Sequence, residues 1–370
     1  MNKSNLDGKD SSQENTLIYF LGDRLAQFIV ARNWSPVKIA ICSYPLAILS
    51  SFVISLFAGT LLPKQGYKAL IQDYPYFFSE VVVPFLWFYY AWILKAPQRV
   101  VDALKLSNVL LIGDNEDKEV KKLINNKIPT YIALILSFLA ASLYYYQILY
   151  IPSYWLSISP LPLAIRSILV IFPTAYVTCS LLARFLVNIR IFRVLLKNVV
   201  LHPLNPDNAG GLLALGHYAL STSYIITVAG LIVAIMEIIA YKEGSISNAY
   251  FFHTGFIIYI IFAPISFFAP LGAAHNAMRQ AKNKLLLEIS QQFNQDFSYT
   301  RTEIKSSAKE LKDNIEKIEQ LQKLYKLAND FPVWPFDTGT VRKFALSVSS
   351  PIATLGVSIL IELFTKTIIK

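Results

Sequence analysis

Five ionisable side chains lie inside or at the edges of long apolar stretches of this chain. They are Glu80, Arg166, Glu237, His253 and Glu362. An ionisable group at membrane depth is costly, and it commonly marks a path for ions, protons or substrates. Arg166 is the deepest cation of the set, and three carboxylates could lie at a similar depth. We therefore predict a polar cluster in the outer leaflet that could hold an ion or a small polar ligand.

Two other interpretations of this polar cluster stay open. The same charges could form a buried network that fixes how the helices pack and binds no ligand. Because the residues lie close to the ends of their apolar stretches, their long side chains could also reach the interface by snorkelling. The choice depends on whether the stretches that carry them are neighbours in the fold.

A second candidate group is a turn rich in Pro, Asp, Asn and Gly that precedes an apolar stretch. Its residues, together with the aspartate before the last apolar stretch, are His202, Asp207, Asn208, Gly210, Gly211 and Asp337. Exposed amides at a helix N-terminus could hold an anion there, or Asp207 and His202 could hold a cation. Helix capping with close packing at the glycines is the structural alternative. The spacing matches neither a P-loop nor a dinucleotide-binding fingerprint.

Residues for catalysis or metal binding are sparse in this sequence. The four histidines, at 202, 217, 253 and 275, are scattered, and no pair has metal-ligand spacing. Cys42 and Cys179 both lie in apolar stretches, where we expect them to pack as small apolar side chains. We therefore predict that the protein is not an enzyme and needs neither a metal nor a cofactor.

Seven long apolar stretches dominate the chain, and hydrophobic residues make up 54% of it. The stretches span residues 37–62, 78–94, 128–150, 161–185, 212–241, 250–274 and 344–364. About 20 apolar residues suffice for a helix to cross the hydrocarbon core. The sequence thus predicts an all-α, polytopic membrane helical bundle with about seven transmembrane helices. The second stretch is short and contains Pro84, so whether it crosses fully stays open.

Basic residues are distributed unevenly between the two sides of this predicted bundle. Most of the 34 Lys and Arg residues precede the first stretch or lie after the second, fourth and sixth. Basic loops stay in the cytoplasm, which predicts a cytoplasmic N-terminus and an outer C-terminus in a bacterial inner membrane. The net charge of +10 fits basic loops facing anionic lipid, with no nucleic-acid partner.

The predicted organisation divides the chain into four segments. Residues 1–36 form a partly disordered cytoplasmic segment, and residues 37–275 contain transmembrane helices 1–6. Residues 276–342 form a cytoplasmic helical hairpin or coiled segment. Residues 343–370 contain the seventh transmembrane helix and a short outer tail.

A seven-residue repeat runs through the predicted cytoplasmic segment. Its apolar or small members follow steps of four and three, at Ile304, Ala308, Leu311, Ile315 and Ile318. This face could pack locally on Leu285, Ile289 and Phe293, or it could join copies of the chain. It could also bind a cytoplasmic protein partner through residues 301–327.

The turn described above resembles one in a group of uncharacterised bacterial multi-pass membrane proteins. Those proteins carry a His-Pro-Asp turn followed by Ala-Gly-Gly-Leu, which His202-Pro203 and Pro206 to Leu212 resemble. The Pro335-Phe336-Asp337 turn and the stretch 73–84 are also similar to theirs. This chain departs from the pattern by inserting Leu204 and Asn205. The resemblance implies a multi-pass fold and brings no activity with it.

Seven spans with a cytoplasmic extension before the last one are similar in outline to the seven-span insect chemoreceptor channels. This likeness concerns architecture alone and implies an oligomeric, ligand-gated or ion channel-like pore. A homo-oligomer sealed by the cytoplasmic segment would account for the seven-residue repeat. Alternatives are a non-conducting sensor or scaffold that uses residues 301–327, and a small-solute transporter that uses the polar cluster.

Overall fold

Helices make up most of the described chain. The computed structural model describes residues 23–63, 66, 68–73, 76–77, 80–110, 113–150, 155–157, 159–197, 199, 205, 207, 209–242, 246–302 and 308–368. The helices are α1 (Arg24–Ala31), α2 (Pro36–Ala58), α3 (Val82–Leu106), α4 (Asp114–Ile124), α5 (Ile128–Leu149), α6 (Pro160–Arg166), α7 (Phe172–Leu195), α8 (Leu213–Lys242), α9 (Ile246–Thr302), α10 (Ala308–Asp330) and α11 (Thr338–Ile368). Within these ranges the structure contains no β-strand, in agreement with the predicted all-α class.

Five helical segments of the described chain are long and apolar enough to cross a membrane. They are Pro36–Ala58, Asp114–Leu149, Pro160–Leu195, Leu213–Ile239 and Gly255–Arg301. The predicted all-α bundle with several apolar helices of membrane-spanning length is therefore confirmed. Residues 82–94 of the second predicted span lie on α3, and the predicted span 344–364 lies on α11. Neither helix is among the five, so the count of seven and the orientation of the termini stay predictions.

The first predicted span shows how the sequence sets helix ends. Ser35 caps α2 by accepting a hydrogen bond from the Lys38 amide at 3.2 Å, and Pro36 occupies the first helical position. The helix ends at Gly59, whose φ of 67° is left-handed. Glycine adopts this conformation without the steric cost that a Cβ would bring.

α8 occupies a central place in the bundle. It packs against α9 and α11 and also contacts α3, while α5 packs on α7 and α2 packs on α3. The largest apolar core lies where α3, α4, α7, α8 and α9 meet, with Phe331 and Phe344 packed into it. The core therefore joins the predicted cytoplasmic ends of the helices.

A continuous helix leads from Pro160 to Leu195. α6 passes into α7 through one π-helical turn at Ser167–Ile171, and the helix runs ten residues past the predicted span end at 185. Single π turns occur inside α-helices and are frequent at functional positions. Arg166 immediately precedes this turn.

α9 is much longer than a membrane crossing requires. Its 57 residues correspond to about 85 Å, and the hydrocarbon core is only about 30 Å thick. α10 runs antiparallel to the end of α9, because Lys317 contacts Asp296 at 3.0 Å and Lys282 donates to the carbonyl of Phe331 at 3.1 Å. We call residues 279–302 of α9 together with α10 the arm.

Candidate functional site

Arg166 lies at the centre of a buried charge cluster. Its guanidinium forms an ion pair with Glu80, donates to the Ser51 hydroxyl and lies 3.5 Å from the Tyr144 hydroxyl. Its Cζ atom also lies 4.9 Å from the centre of the Tyr76 ring, which is a cation–π contact. We call these five residues the Arg166 cluster.

Four separate segments supply the five residues of the Arg166 cluster. Ser51 is on α2, Tyr144 on α5 and Arg166 on α6, while Tyr76 and Glu80 precede α3. A backbone hydrogen bond of 3.1 Å from the Glu80 amide to the Tyr76 carbonyl holds those two residues one turn apart. The Arg166 cluster thus joins the ends of α2, α3, α5 and α6.

A second layer of side chains packs beside the Arg166 cluster. Trp155 packs edge-on against Tyr76, with 5.4 Å between their ring centroids, and its indole donates to Asp73 at 3.1 Å. Lys68 lies 3.4 Å from the same carboxylate. Trp155 is fully buried, so this layer packs Tyr76 and Asp73 against one another.

Burial decides between the interpretations of this cluster. Arg166 is 1% exposed and Glu80 is 4% exposed, so the guanidinium does not reach the interface as snorkelling requires. The two charges neutralise each other, and the hydroxyls of Ser51 and Tyr144 accept from two other guanidinium nitrogens. This arrangement is chemically suited to holding helix ends together, and it leaves little surface for a ligand.

Of the predicted outer cluster, Glu80 is the member whose contact with Arg166 is described. Glu237 lies on α8. His253 lies on α9 and Glu362 on α11, but both side chains fall outside the described residues. The sequence therefore identified the central cation and one of its partners.

A second buried ion pair was not found from the sequence. Arg184 on α7 donates to Asp23 Oδ2 at 2.7 Å, and the Tyr90 hydroxyl on α3 donates to the same oxygen at 2.6 Å. Asp23 Oδ1 accepts from the amides of Leu25 and Ala26, which caps α1. We call Asp23, Tyr90 and Arg184 the Asp23 cluster.

Asp23 keeps its charge despite its burial. Burial alone would raise the pKa of this carboxyl, but the nearby Arg184 guanidinium and the hydrogen bonds from Tyr90 and Ala26 together lower that pKa below its usual value. The ionised carboxylate therefore accepts four hydrogen bonds. It fixes the start of α1 against α3 and α7.

The Asp207 turn acts as a helix cap. Asp207 Oδ1 accepts from the amides of Ala209 at 2.9 Å and Gly211 at 3.0 Å, and Oδ2 lies 3.3 Å from the Leu213 amide. The carboxylate thus occupies the amides that an anion would need. Gly210 and Gly211 both have positive φ, 64° and 92°. His202 and Asn208 lie outside the described residues.

The turn at Asp337 caps the last helix in the same manner. Its carboxylate accepts from the Thr340 amide at 2.8 Å, and hydrogen bonds with Thr340 hold the pKa of Asp337 below its usual value. A Cβ at Gly216 would lie 2.3 Å from the Pro335 carbonyl oxygen. The two predicted turn motifs therefore meet through the contact of Gly216 with Pro335, while each aspartate caps its own helix.

An aromatic stack fixes the chain between α10 and α11. The His275 ring stacks on Trp334 with 4.0 Å between centroids, and its Nδ1 donates to the Val333 carbonyl at 2.7 Å. Trp334 stacks in turn on Phe336. His275 thus has a packing role.

Among the described residues, no group of three or more His, Cys, Asp and Glu side chains could hold a metal ion. Cys42 and Cys179 are free thiols. Cys42 is exposed on α2, where it faces outwards from the bundle.

No protein-family model, curated protein or solved structure matches the chain.

Proposed function

We propose that the protein is a homo-oligomeric, channel-like membrane protein whose copies associate through the arm and α11 around a shared pore. The observation that carries this proposal is the exposed apolar surface of the arm. We propose that the protein lies in the plasma membrane of a bacterium. The arm projects from the predicted cytoplasmic face.

Apolar exposure has different meanings on the spans and on the arm. Outward-facing Leu and Phe side chains on α2 and α5 fit contact with lipid tails. Leu287 on the arm is 59% exposed and Leu327 is 64% exposed, and both lie in the chain beyond the predicted span end at 274. Such surface favours contact with protein. A second copy of the same helical pair is a fitting partner, because the seven-residue repeat of α10 suits helix association.

The outward face of α11 supports the same assembly. Ser349, Ser350 and Ala353 are exposed on it, and the two serine hydroxyls donate to the carbonyls of Leu346 at 3.2 Å and Ser347 at 2.8 Å. Small side chains allow close helix approach in a membrane, and hydroxyls can also line an aqueous path. We propose that this face points to the oligomer axis.

Electrical recording tests this proposal. The purified protein is reconstituted in planar bilayers, and current is measured under applied voltage in K⁺ and Na⁺ salts. We expect single-channel conductance that Ser350→Leu abolishes or strongly reduces. The matched control is Ser142→Leu on α5, where the serine is also exposed and also bonds a carbonyl within its own helix. Oligomers without conductance in both salts, or equal effects of the two substitutions, would contradict a pore along α11.

A non-conducting sensor or scaffold is the second candidate. Its support is the same exposed surface, since residues 301–327 could bind a cytoplasmic protein in place of another copy. On the predicted heptad face, Ile315 is 46% exposed and Ile318 is half-buried. Ile304 and the Leu311 side chain lie outside the described residues. A monomer in solution would favour this candidate.

A transporter that uses the Arg166 cluster is less well supported. Such a protein needs water to reach the charged side chains in at least one state. Arg166 and Glu80 are buried and bound to each other, so the geometry favours a role in packing.

A further inference from the structure

The outward side of α1 carries positive charge and an aromatic ring together. Arg24, Phe28 and Arg32 are all exposed and recur every four residues, so they lie on one side of the helix. The opposite side holds Ala26 and Ile29, which are buried in a core shared with α3 and α7. The helix therefore presents one side to the bundle and the other to its surroundings.

Aromatic contacts hold this outward side in place. The Arg32 guanidinium carbon lies 5.1 Å from the centre of the Phe28 ring, which is a cation–π contact. Trp34 meets the same ring edge-on, with 5.6 Å between the ring centroids. Between them in the chain, Asn33 Oδ1 accepts from Lys95 Nζ at 2.6 Å, which ties this end of α1 to α3. We call Arg24, Phe28, Arg32 and Trp34 the α1 face.

The chain leads directly from the α1 face into the first candidate span. α2 begins two residues after Trp34, and Val37 and Ile41 on its first turns are 56% and 67% exposed, as expected for side chains against lipid tails. Tryptophan at the end of a span prefers the level of the lipid headgroups, and basic residues favour the cytoplasmic side. These positions place the α1 face at the headgroups of the leaflet that we predict to be cytoplasmic.

Positive charge on the α1 face is not neutralised within the described part of the chain. Asp23 is the one acidic residue between positions 23 and 41, and its carboxylate is already bound to Arg184 and to the first amides of α1. Neither Arg24 nor Arg32 forms an ion pair with a described carboxylate. Both guanidinium groups therefore keep N–H donors for an outside acceptor.

The chemistry of the α1 face selects a phospholipid with an anionic headgroup. Guanidinium groups donate to phosphate oxygens through charge-assisted hydrogen bonds, and basic residues next to a span are attracted to anionic lipid. A zwitterionic lipid carries its own ammonium beside the phosphate and gains less from two further cations. The exposed rings of Phe28 and Trp34 suit the upper part of an acyl chain, which a soluble anion lacks.

We propose that the α1 face is a binding surface for anionic phospholipids of the cytoplasmic leaflet. Arg24 and Arg32 bind the phosphate groups, while Phe28 and Trp34 pack on the upper acyl chains. Because the Asp23 cluster fixes the start of α1 against α3 and α7, the surface is formed before the lipid binds. It belongs to the single bundle and does not depend on oligomer assembly.

Brominated lipids test the proposal, because bromine quenches the fluorescence of a tryptophan in contact with it. The full-length protein is reconstituted in two vesicle preparations with the same proportions of phosphatidylcholine and phosphatidylglycerol. The same small amount of brominated lipid is supplied as phosphatidylglycerol in one and as phosphatidylcholine in the other, with bromine near the headgroup end of one acyl chain. The Trp34 signal is the difference between the wild type and Trp34→Phe.

We expect brominated phosphatidylglycerol to quench Trp34 several-fold more strongly than brominated phosphatidylcholine. High salt should reduce this preference, because salt screens exposed charges. Equal quenching by the two lipids would overturn the proposal. Absence of quenching by both would show that the α1 face points away from the bilayer, and it would favour a soluble protein as the occupant.

Paired substitutions assign the preference to the two arginines. Arg24→Gln/Arg32→Gln removes both cations from exposed positions, and we expect the two lipids then to quench Trp34 equally. Arg301→Gln/Lys312→Gln is the control, because it removes the same charge from exposed positions on the arm and should keep the preference. A preference that survives without Arg24 and Arg32, or an equal loss in the control, would overturn the proposal. Inorganic phosphate that abolishes the preference beyond the effect of sodium chloride at equal ionic strength would indicate a site for a soluble anion and would also overturn it.

Discussion

Arg166 and Arg184 lie on one continuous helix, about 27 Å apart along its axis, and each is buried against a carboxylate from a distant part of the chain. The separation is close to the thickness of the hydrocarbon core, about 30 Å. The α6–α7 helix therefore carries one neutralised cation near each predicted membrane surface. The Glu80 ion pair joins this helix to the segment before α3. The Asp23 ion pair joins it to the start of α1.

The Arg166 pair should stabilise the fold mainly because neither charge tolerates burial alone. Removing one partner of a buried ion pair costs about 3–5 kcal/mol, whereas replacing both with apolar groups costs much less. We expect Arg166→Leu to lower the Tm strongly and the double variant Arg166→Leu/Glu80→Leu to recover part of the loss. Thermal unfolding followed by tryptophan fluorescence measures both. An Arg166→Leu protein with the wild-type Tm would show that the pair contributes nothing.

Asp23 should make stability depend on acidity. Its pKa is lowered in the folded protein from an ordinary value of 3.8, so its contribution is present above that ordinary value and disappears as the pH falls through the lowered folded value. Hydrogen bonds to a charged group contribute about 1.5–3 kcal/mol, and Asp23→Asn should therefore lower the Tm at neutral pH. The gap between the two proteins should narrow as the solution is acidified. A gap that is constant with pH would contradict the role of the ionised carboxylate.

Gly216 should be needed for the approach of α8 to the Pro335 turn. A methyl group there meets a backbone carbonyl, which cannot rotate away, and such overpacking costs about 1–3 kcal/mol. We expect Gly216→Ala to lower the Tm and to speed proteolysis near residues 331–337. Gly272→Ala on α9 is the matched control, because a Cβ there would contact nothing within 4 Å. Equal Tm values for the two variants would mean that the turn moves freely.

The sequence alone could identify candidate site residues where one residue type stands out from its neighbours in the chain. Arg166 stands out as a cation inside an apolar stretch, and Asp207 and Asp337 stand out as caps before apolar helices. The partner of Arg166 could be limited only to several carboxylates at similar depth, because the neighbours of a span depend on packing between distant segments. Glu80 is the member that packing selects.

Asp23 and Arg184 show why other features could not be predicted. Asp23 follows a polar N-terminal segment, and Arg184 lies at the end of an apolar stretch, where a basic residue ordinarily marks the cytoplasmic side. Nothing local indicates that the two meet. α9 continues from the apolar stretch into the charged arm as one helix of 57 residues.

The exposed apolar surface of the arm should be needed for assembly. Leu324 and Leu327 are 47% and 64% exposed, and burying a leucine side chain is worth about 1.5–3 kcal/mol. Leu324→Asp/Leu327→Asp should therefore weaken the oligomer in size-exclusion chromatography. Asn125→Asp/Asn126→Asp adds the same charge at exposed positions after α4 and should leave the oligomer intact. Loss of assembly in both variants would point to charge repulsion and not to the arm.

The mass of the purified protein tests the central claim most directly. Light scattering in nanodiscs or detergent, with the lipid and detergent contribution subtracted, gives the number of chains in each particle. We predict a discrete trimer, tetramer or larger ring that dissociates on Leu324→Asp/Leu327→Asp substitution. A monomer of 41.8 kDa at all protein concentrations would contradict a shared pore, and it would favour a sensor or scaffold whose arm binds another protein.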